Sequence, residues 1–536
     1  MTLERTWRPG TLGAGGWTEL VTGPGEPHQG RLPSSSATVL VCLVHLTDLH
    51  LCDAESPARQ EYLDHHGDPG APYAGRLGAI GTYRPQELLT VPVAVAALHA
   101  VHRLGRAPVS GAALDAVVVT GDVTDNAQRN ELSWYAALMA GGPLAARSGG
   151  PRSGWVGGPD ATWFPHFWHP EGAPPGTDRD VPTARYGFPT VPGLVEAARS
   201  TLTSPGAGLP WLTVHGNHDA LLQGTVAPDE RLRALAVGDA RVVDLSPGQT
   251  PLVVLEGVAP LGPARYTHDD DAPRETVIAD QERALLRPGE LVEVLAGAVD
   301  SAGAGTGTGG VEGARLDHAP GAADAPAAVP WACWASDVAQ VRVIALDTVN
   351  PHGGWQGSVD ETQLAWLQGE LSRASGYVVV TSHHPSWALT NAYAPPGAPP
   401  RHLADAVLAL LLRHPGVVAW VSGHVHRHSH HWHQAADRAG GLWEVTTSSL
   451  IDWPQQLRVL ELFREPEGTV ALVSTVLDHA AAGWDRDSLD DPLVLAGLSR
   501  TLAVNDYRAR SRAVLGLAAG ERADRNAVWR LPDPFA

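Results

Sequence analysis

Five apolar runs rich in β-branched residues, at 39–46, 114–120, 209–214, 377–382 and 417–422, each stop on a short block of polar side chains. Short apolar runs bounded by turn formers read as buried strands. The first belongs to a strand predicted over 38–50, the second to one over 114–120. Between them, after a polar loop at 51–84, Pro85 sits near the first helical position, where its missing N–H is tolerated, and opens a helix over 86–104. A second helix is predicted over 126–139. This strand–helix–strand–helix opening calls for a right-handed crossover and a partly parallel core sheet. Later come a strand at 341–347, a helix at 360–374, a strand at 376–382 and a helix at 402–413. Strands follow at 417–422, 442–447, 457–463 and 469–477, and a helix over 494–518 closes the chain. The last three strands, joined by short turns, are predicted as an antiparallel end to a second sheet. The class is α/β (α+β): two mixed sheets packed face to face, flanked by helices, satisfy this order of elements.

Composition shifts divide the chain. Residues 1–37, rich in Gly and Pro, read as an N-terminal surface arm, 38–480 as the main domain, and 481–536 as a C-terminal helical extension packed on the core. Two insertions, at about 141–208 and 220–340, interrupt the main domain, and 296–329 is close to low complexity in Ala and Gly, the composition of a flexible loop. The first insertion carries Trp155, Trp163, Phe164, Phe167 and Trp168, read as a small satellite core ahead of a lid that stacks on a base or an organic leaving group. Asp269, Asp270 and Asp271 read as a solvated acidic turn.

Charge narrows the partners. A net charge of −20, from 38 basic and 58 acidic residues, argues against binding along a nucleic-acid polymer, which needs a basic groove. A small phosphorylated substrate stays open, because bound metals set the local field. Every basic residue is arginine, which removes P-loop, Schiff-base and Ser-Lys chemistry and hints at a GC-rich bacterial genome. Three scattered cysteines imply no disulfide framework. A polar N-terminus and the lack of an unbroken apolar run of about eighteen residues make a cytoplasmic protein, with no membrane partner, the expectation.

The polar blocks carry the chemistry. Asp48 and His50 lie two apart at a strand end, so their side chains point the same way and can share one metal; a carboxylate with an imidazole suits Zn, Fe or Mn better than calcium. Asp122, after Gly121, can bridge two ions about 3.5–4 Å apart, although a turn aspartate is the plainer reading of it alone. Asn217 offers a neutral amide oxygen, so two carboxylates and two divalent ions would leave about two positive charges to attract a phosphate ester. His424 and His426 can supply one nitrogen to each metal, and His383 or His384 the remaining one. His428, His430, His431 and His433 read as surface or supporting residues, and His45 as a packed one. Asp53, Tyr83, Asn126 and Arg129 lie near the blocks and are weighed as substrate contacts against ordinary turn or helix-start roles.

Taken in order, Asp48-x-His50, Gly121-Asp122-x-x-Asp125, Gly216-Asn217-His218-Asp219, His383-His384 and Gly423-His424-x-His426 resemble the calcineurin-like metallophosphoesterase superfamily. The wording Leu46-Thr47-Asp48-Leu49-His50 and Gly121-Asp122-Val123-Thr124-Asp125-Asn126 is most similar to its bacterial branch of class III cyclic-nucleotide and glycerophosphodiester phosphodiesterases. The Asp452-Trp453-Pro454-Gln455 segment and the insertions look like a bacterial subfamily with no settled substrate. The resemblance implies a four-layer αββα sandwich. It implies one metal held by Asp48, His50, Asp122 and His426, and another by Asp122, Asn217, His383 and His424, the ions being manganese, iron or zinc. It implies His218 as the residue that contacts the phosphoryl oxygen or protonates the leaving group, Asp125 as the carboxylate that orients it, and a substrate or supporting contact from His384; Asn126 stays a candidate substrate contact by its place beside the second block. The activity expected is phosphodiester hydrolysis by in-line attack of metal-activated hydroxide on a small phosphoester. A phosphomonoesterase or nucleotidase on the same site, and a non-catalytic scaffold of the same fold, are the alternatives.

Overall fold

The computed structural model describes residues 2–74, 83–150, 163–251, 271–287, 290–291, 294–295, 317–318 and 332–536. Thirteen strands build its two principal sheets. In chain order they are β1 (Thr38–Leu46), β2 (Ala116–Val119), β3 (Trp211–Thr213), β4 (Asp317–His318), β5 (Trp334–Val338), β6 (Val341–Leu346) and β7 (Tyr377–Ser382). They continue with β8 (Val417–Ser422), β9 (Ser429–Gln434), β10 (Gly441–Thr446), β11 (Gln456–Glu465), β12 (Thr469–Asp478) and β13 (Ala527–Pro532). The first sheet has the order β13-β12-β11-β1-β2-β3, and the second β4-β5-β6-β7-β8-β10-β9. Within them β1-β2-β3 and β6-β7-β8-β10 are parallel, and the outer strands pair antiparallel.

The period-two alternation of each strand decides the layers. On β1, Val41 and Leu43 join Val343 and Ala345 of β6 and Val421 of β8 in the core between the sheets. The alternate residues Cys42, Val44 and Leu46 pack outward against helices α1 (Thr90–Leu104) and α2 (Arg129–Ala140). Behind the second sheet, Ile344, Val378, Val380 and Trp420 pack on α3 (Glu361–Arg373) and α4 (Ala404–Leu412). The result is a four-layer αββα sandwich. Strands covered on both faces read as unbroken apolar runs, which is why they were legible.

Several expectations need correction. Of the three strands predicted as an antiparallel end to the second sheet, only β10 lies there, and it runs parallel to β8. β11 and β12 return to the first sheet, where Val459 pairs with Val44. β9, Ser-His-His-Trp-His-Gln, was not predicted, because a half-exposed edge strand lacks an apolar run. The closing helix is two, α5 (Pro492–Asn505) and Arg512–Ala519, and the last segment is β13, an edge strand of the first sheet, so 481–536 is more than a helical extension. The 1–37 arm contains a hairpin of Arg5–Leu12 and Thr18–Pro24, tied to α5 through Thr18 N–H donating to Asn505 Oδ1 at 2.8 Å. The stretch Glu87–Leu104 is long and apolar enough by composition to cross a membrane, with a mean hydropathy of 1.2, but 67% of it is buried against the protein, as a core helix is.

The first insertion is held by satellite cores. Trp168 packs with Leu89, Phe188 and Leu194 against Leu495 and Leu498 of α5, and Phe167 packs on Tyr83 with Phe164. Trp155 lies outside the described residues, as do 296–329 apart from 317–318, Asp269 and Asp270.

Candidate metal centre

The polar blocks leave the ends of β1, β2, β3, β7 and β8, so side chains from both sheets converge at one edge of the sandwich. The loops are stitched together by main-chain bonds: Asp48 N–H to Gly121 O at 3.1 Å and His50 N–H to Asp122 O at 2.9 Å. Asp48, His50, Asp122, His424 and His426 all take positive φ, between 46° and 67°. Such backbone costs of order 1–3 kcal/mol per residue and gathers at functional sites. Glycines make the crowding possible. A Cβ on Gly423 would overlap Thr47 Oγ1 and come within 2.5 Å of Asp48 Oδ2; one on Gly121 would sit 2.8 Å from His383 Nδ1.

One group of ligand atoms surrounds His383 Nε2, with Asn217 Oδ1 at 2.9 Å, Asp122 Oδ2 at 3.1 Å and His424 Nδ1 at 3.2 Å. Four donors about 2.0–2.2 Å from one ion lie roughly 3.3 Å apart, so these spacings fit a shared metal. The other group joins Asp48, His50 and His426, with Asp48 Oδ1 3.2 Å from His426 Nε2. Asp122 Oδ2 is also 3.7 Å from His50 Nε2, so this oxygen stands between the groups. His50 Nε2 is itself buried and has no hydrogen-bond partner, as a bare metal-facing nitrogen would be.

Outer contacts aim these donors. His50 Nδ1 donates to Asp125 Oδ1 at 3.0 Å, His426 Nδ1 to Asp452 Oδ2 at 2.7 Å and His383 Nδ1 to Thr120 O at 2.8 Å, leaving each Nε2 for an ion. The Asn217 amide donates from Nδ2 to Gly224 O at 3.0 Å, which turns Oδ1 inward. The site therefore fits two ions that prefer nitrogen and oxygen ligands. In the metal-free protein the protons are unevenly shared. Burial alone would lower both histidines, but Asp122 holds His383 up at about 9, and Asp48 with Asp452 holds His426 up at about 10. Burial, together with neighbouring imidazoles, pushes His50 and His424 down.

His218 stands at the edge of the cluster, its side chain 18% exposed and its ring 4.4 Å from that of His50. Its main-chain N–H donates to Asp122 Oδ1 at 2.8 Å, and its Nδ1 bonds the main-chain carbonyl of Asp125 at 2.8 Å. The Asp125 carboxylate lies 3.7 Å from His218 and is spent on His50, so Asp125 orients His218 through its backbone and a ligand through its side chain.

The two substrate contacts drawn from the sequence do not reach the opening. His384 is fully buried with both nitrogens engaged, Nδ1 by Thr348 Oγ1 at 2.8 Å and Nε2 by Trp355 O at 3.0 Å. It groups with His383 and His424 by distance, but it has no nitrogen left for an ion. Asn126 is buried and donates to Glu131 Oε1 at 2.5 Å. Asp53 is buried among Gln128, Asn130 and Arg283, Tyr83 is packed, and Arg129 pairs with Glu290. His45 is buried between Thr447 and Thr120; His430 and His433 pair with Asp524 and Glu444. The sequence singles out the Asp452 segment without assigning Asp452 a contact, and gives no sign of Arg59, a buried guanidinium 2.8 Å from Glu87 and 3.8 Å from Asp125.

No family model and no curated protein matches the chain. Among solved structures, a dimetal phosphatase from Danio rerio is similar over 82% of this chain and 100% of its own, at 14% identity and a TM-score of 0.29. So remote a likeness carries no argument about the site, whose own geometry is two clusters of candidate ligand atoms at one edge of an αββα sandwich, with Asp122 Oδ2 3.1 Å from His383 Nε2 in one and 3.7 Å from His50 Nε2 in the other.

Proposed function

We propose that this protein is a dinuclear-metal phosphoester hydrolase acting on small diesters. The observation that carries the reading is the position of Asp122 Oδ2, 3.1 Å from His383 Nε2 and 3.7 Å from the unpartnered His50 Nε2. Asp48, His50, Asp122 and His426 would hold one ion, and Asp122, Asn217, His383 and His424 the other. Two such ions would lower the pKa of a shared water toward neutrality and offset charge growing on the phosphoryl oxygens.

The chain's own residues supply the rest. The carbonyl of Asp125 accepts a hydrogen bond from His218 Nδ1–H, so a second proton on that ring sits at Nε2, where it can hydrogen-bond a phosphoryl oxygen and pass to a departing alkoxide. Asp122 Oδ1, by accepting from the His218 N–H, ties the acid to the bridging carboxylate. Arg84 and Arg59, close to the candidate ligands, are paired with Asp452 and Glu87. The preference for a diester follows the sequence resemblance. The excess of acidic residues favours a small ester over a nucleic-acid polymer.

Metal analysis of the purified protein, coupled to rates on bis- and mono-p-nitrophenyl phosphate and cyclic AMP, tests the proposal. Two ions per chain with faster diester turnover are expected. Preferential turnover of the monoester would move the reading to a phosphomonoesterase, and full metal content with no turnover would move it to a scaffold.

A further inference from the structure

The aromatic residues of the first insertion that lie among the described residues are largely spent on satellite cores, yet one tryptophan beside the ligands is not. Trp355 is 52% exposed, the only tryptophan among the large exposed hydrophobic residues described. Its ring lies over that of the ligand candidate His424, with centroids 5.9 Å apart and planes inclined by 22°.

The segment that carries it is locked from several sides. The Trp355 carbonyl accepts from His384 Nε2 at 3.0 Å, and Gly354 N–H donates to Thr225 O at 2.8 Å. Asn391 Nδ2 donates to Gly353 O at 2.9 Å, and Gly357 N–H to Ala388 O at 2.9 Å. Gly354 has φ of 92°, and a Cβ there would sit 2.7 Å from Asn391 Nδ2, so the turn is built around a missing side chain. A large indole held in water by a backbone this restrained exposes apolar surface that folding alone would bury.

We propose that Trp355 is a stacking platform for the organic group of the ester, and that this group is a flat aromatic ring such as a nucleobase. The proposal rests on the hydrolase reading above. An ester whose phosphorus is held at the ligand cluster carries its substituents toward the opening, and a fixed indole beside His424 presents a π-face there. Every base has such a face, so stacking recognises an aromatic group without reading its edge. His384, buried with both nitrogens occupied, acts as a positioning residue: it ties the Trp355 carbonyl to the layer beneath His424, whose ring lies 4.3 Å from its own.

The test uses two esters that release the same p-nitrophenol, the thymidine 5′-ester and the ethyl ester of p-nitrophenyl phosphate, on the metal-loaded enzyme and its Trp355→Ala and Trp355→Phe variants. Alanine should lower the thymidine-to-ethyl ratio of kcat/KM about tenfold, the scale of one lost base stack. The loss should fall in KM, and phenylalanine should recover most of it. An unchanged ratio, or a ratio that phenylalanine does not restore, overturns the platform. Saturation-transfer NMR of adenosine with the metal-free protein separates the two readings. If the wild type hydrolyses neither ester but saturates the adenine protons, and alanine abolishes the signal, the platform stands and the hydrolase reading falls. Adenosine saturation that is absent in the wild type, or equal in wild type and Trp355→Ala, overturns the platform whatever the enzyme turns over.

Discussion

Asp452 Oδ2 accepts a hydrogen bond from His426 Nδ1 at 2.7 Å, and its other oxygen accepts from Arg84 Nε at 2.8 Å and Gln86 Nε2 at 3.2 Å. The loop between β10 and β11, which carries the chain from the second sheet back to the first, thus reaches a metal-ligand candidate and fixes its tautomer. Arg84 in turn holds the Asp452 carboxyl well below the usual carboxylate range against the pull of burial.

Asp452→Ala should weaken one metal site selectively. Removing such an outer carboxylate costs 10–100-fold in affinity or activity on the usual scale. Metal content after dialysis should fall toward one ion per chain, while Asp452→Asn, which keeps an acceptor, should lose less. Equal loss of both ions from Asp452→Ala would contradict the assignment.

Asp122→Asn should lower the content of both ions and abolish activity, because the Asp122 oxygen stands between both ligand groups. Elemental analysis distinguishes this from a single-site effect. Two tightly retained ions in the variant would end the bridging role.

His218→Ala should keep both ions and lose roughly 10²–10⁴ in kcat, the scale of general acid–base catalysis. The loss should shrink for esters with a good leaving group, which needs no proton. Wild-type turnover of a poor leaving group by the variant would remove His218 from the mechanism.

Metal loading should release protons. His383 and His426, raised to about 9 and about 10 in the metal-free protein, must each give up the Nε2 proton before that nitrogen can hold an ion. Below those values the affinity for each ion should rise about tenfold per pH unit. Calorimetry in buffers of different ionisation enthalpy reads the proton count near pH 7.5, and a value of zero would contradict the pairing. Without metal, the raised values stabilise the fold fully below pH 6.5, the ordinary histidine value, and that contribution disappears as pH rises through 9 and 10. Melts of chelated protein should therefore fall across that window, and melts of loaded protein should not share this loss.

The legible parts share a cause. β1, β2, β7 and β8 are covered on both faces, so their residues form apolar runs that end where Asp48, Asp122, His383 and His424 begin. β9 carries histidines on an exposed edge and leaves no apolar run, and β13, whose buried Ala527, Trp529 and Leu531 alternate with half-buried residues, is too short a segment to announce the sheet it joins. The return of β11 to pair with β1 was equally silent, because an apolar run specifies burial and not a neighbour.

The inventory of candidate ligands was legible in the sequence, because metal binding needs particular atoms and those atoms belong to residue types at fixed spacings. Which of two adjacent histidines keeps a free nitrogen was decided by the tertiary structure: Thr348 and Trp355 occupy His384, while His383 keeps Nε2 beside Asp122. It also sent the Asp125 carboxylate to His50, brought Asp452 to His426, and left Trp355 exposed over His424. Each of these is a contact between residues far apart in the chain, and no local pattern encodes the distance that folding brings to zero.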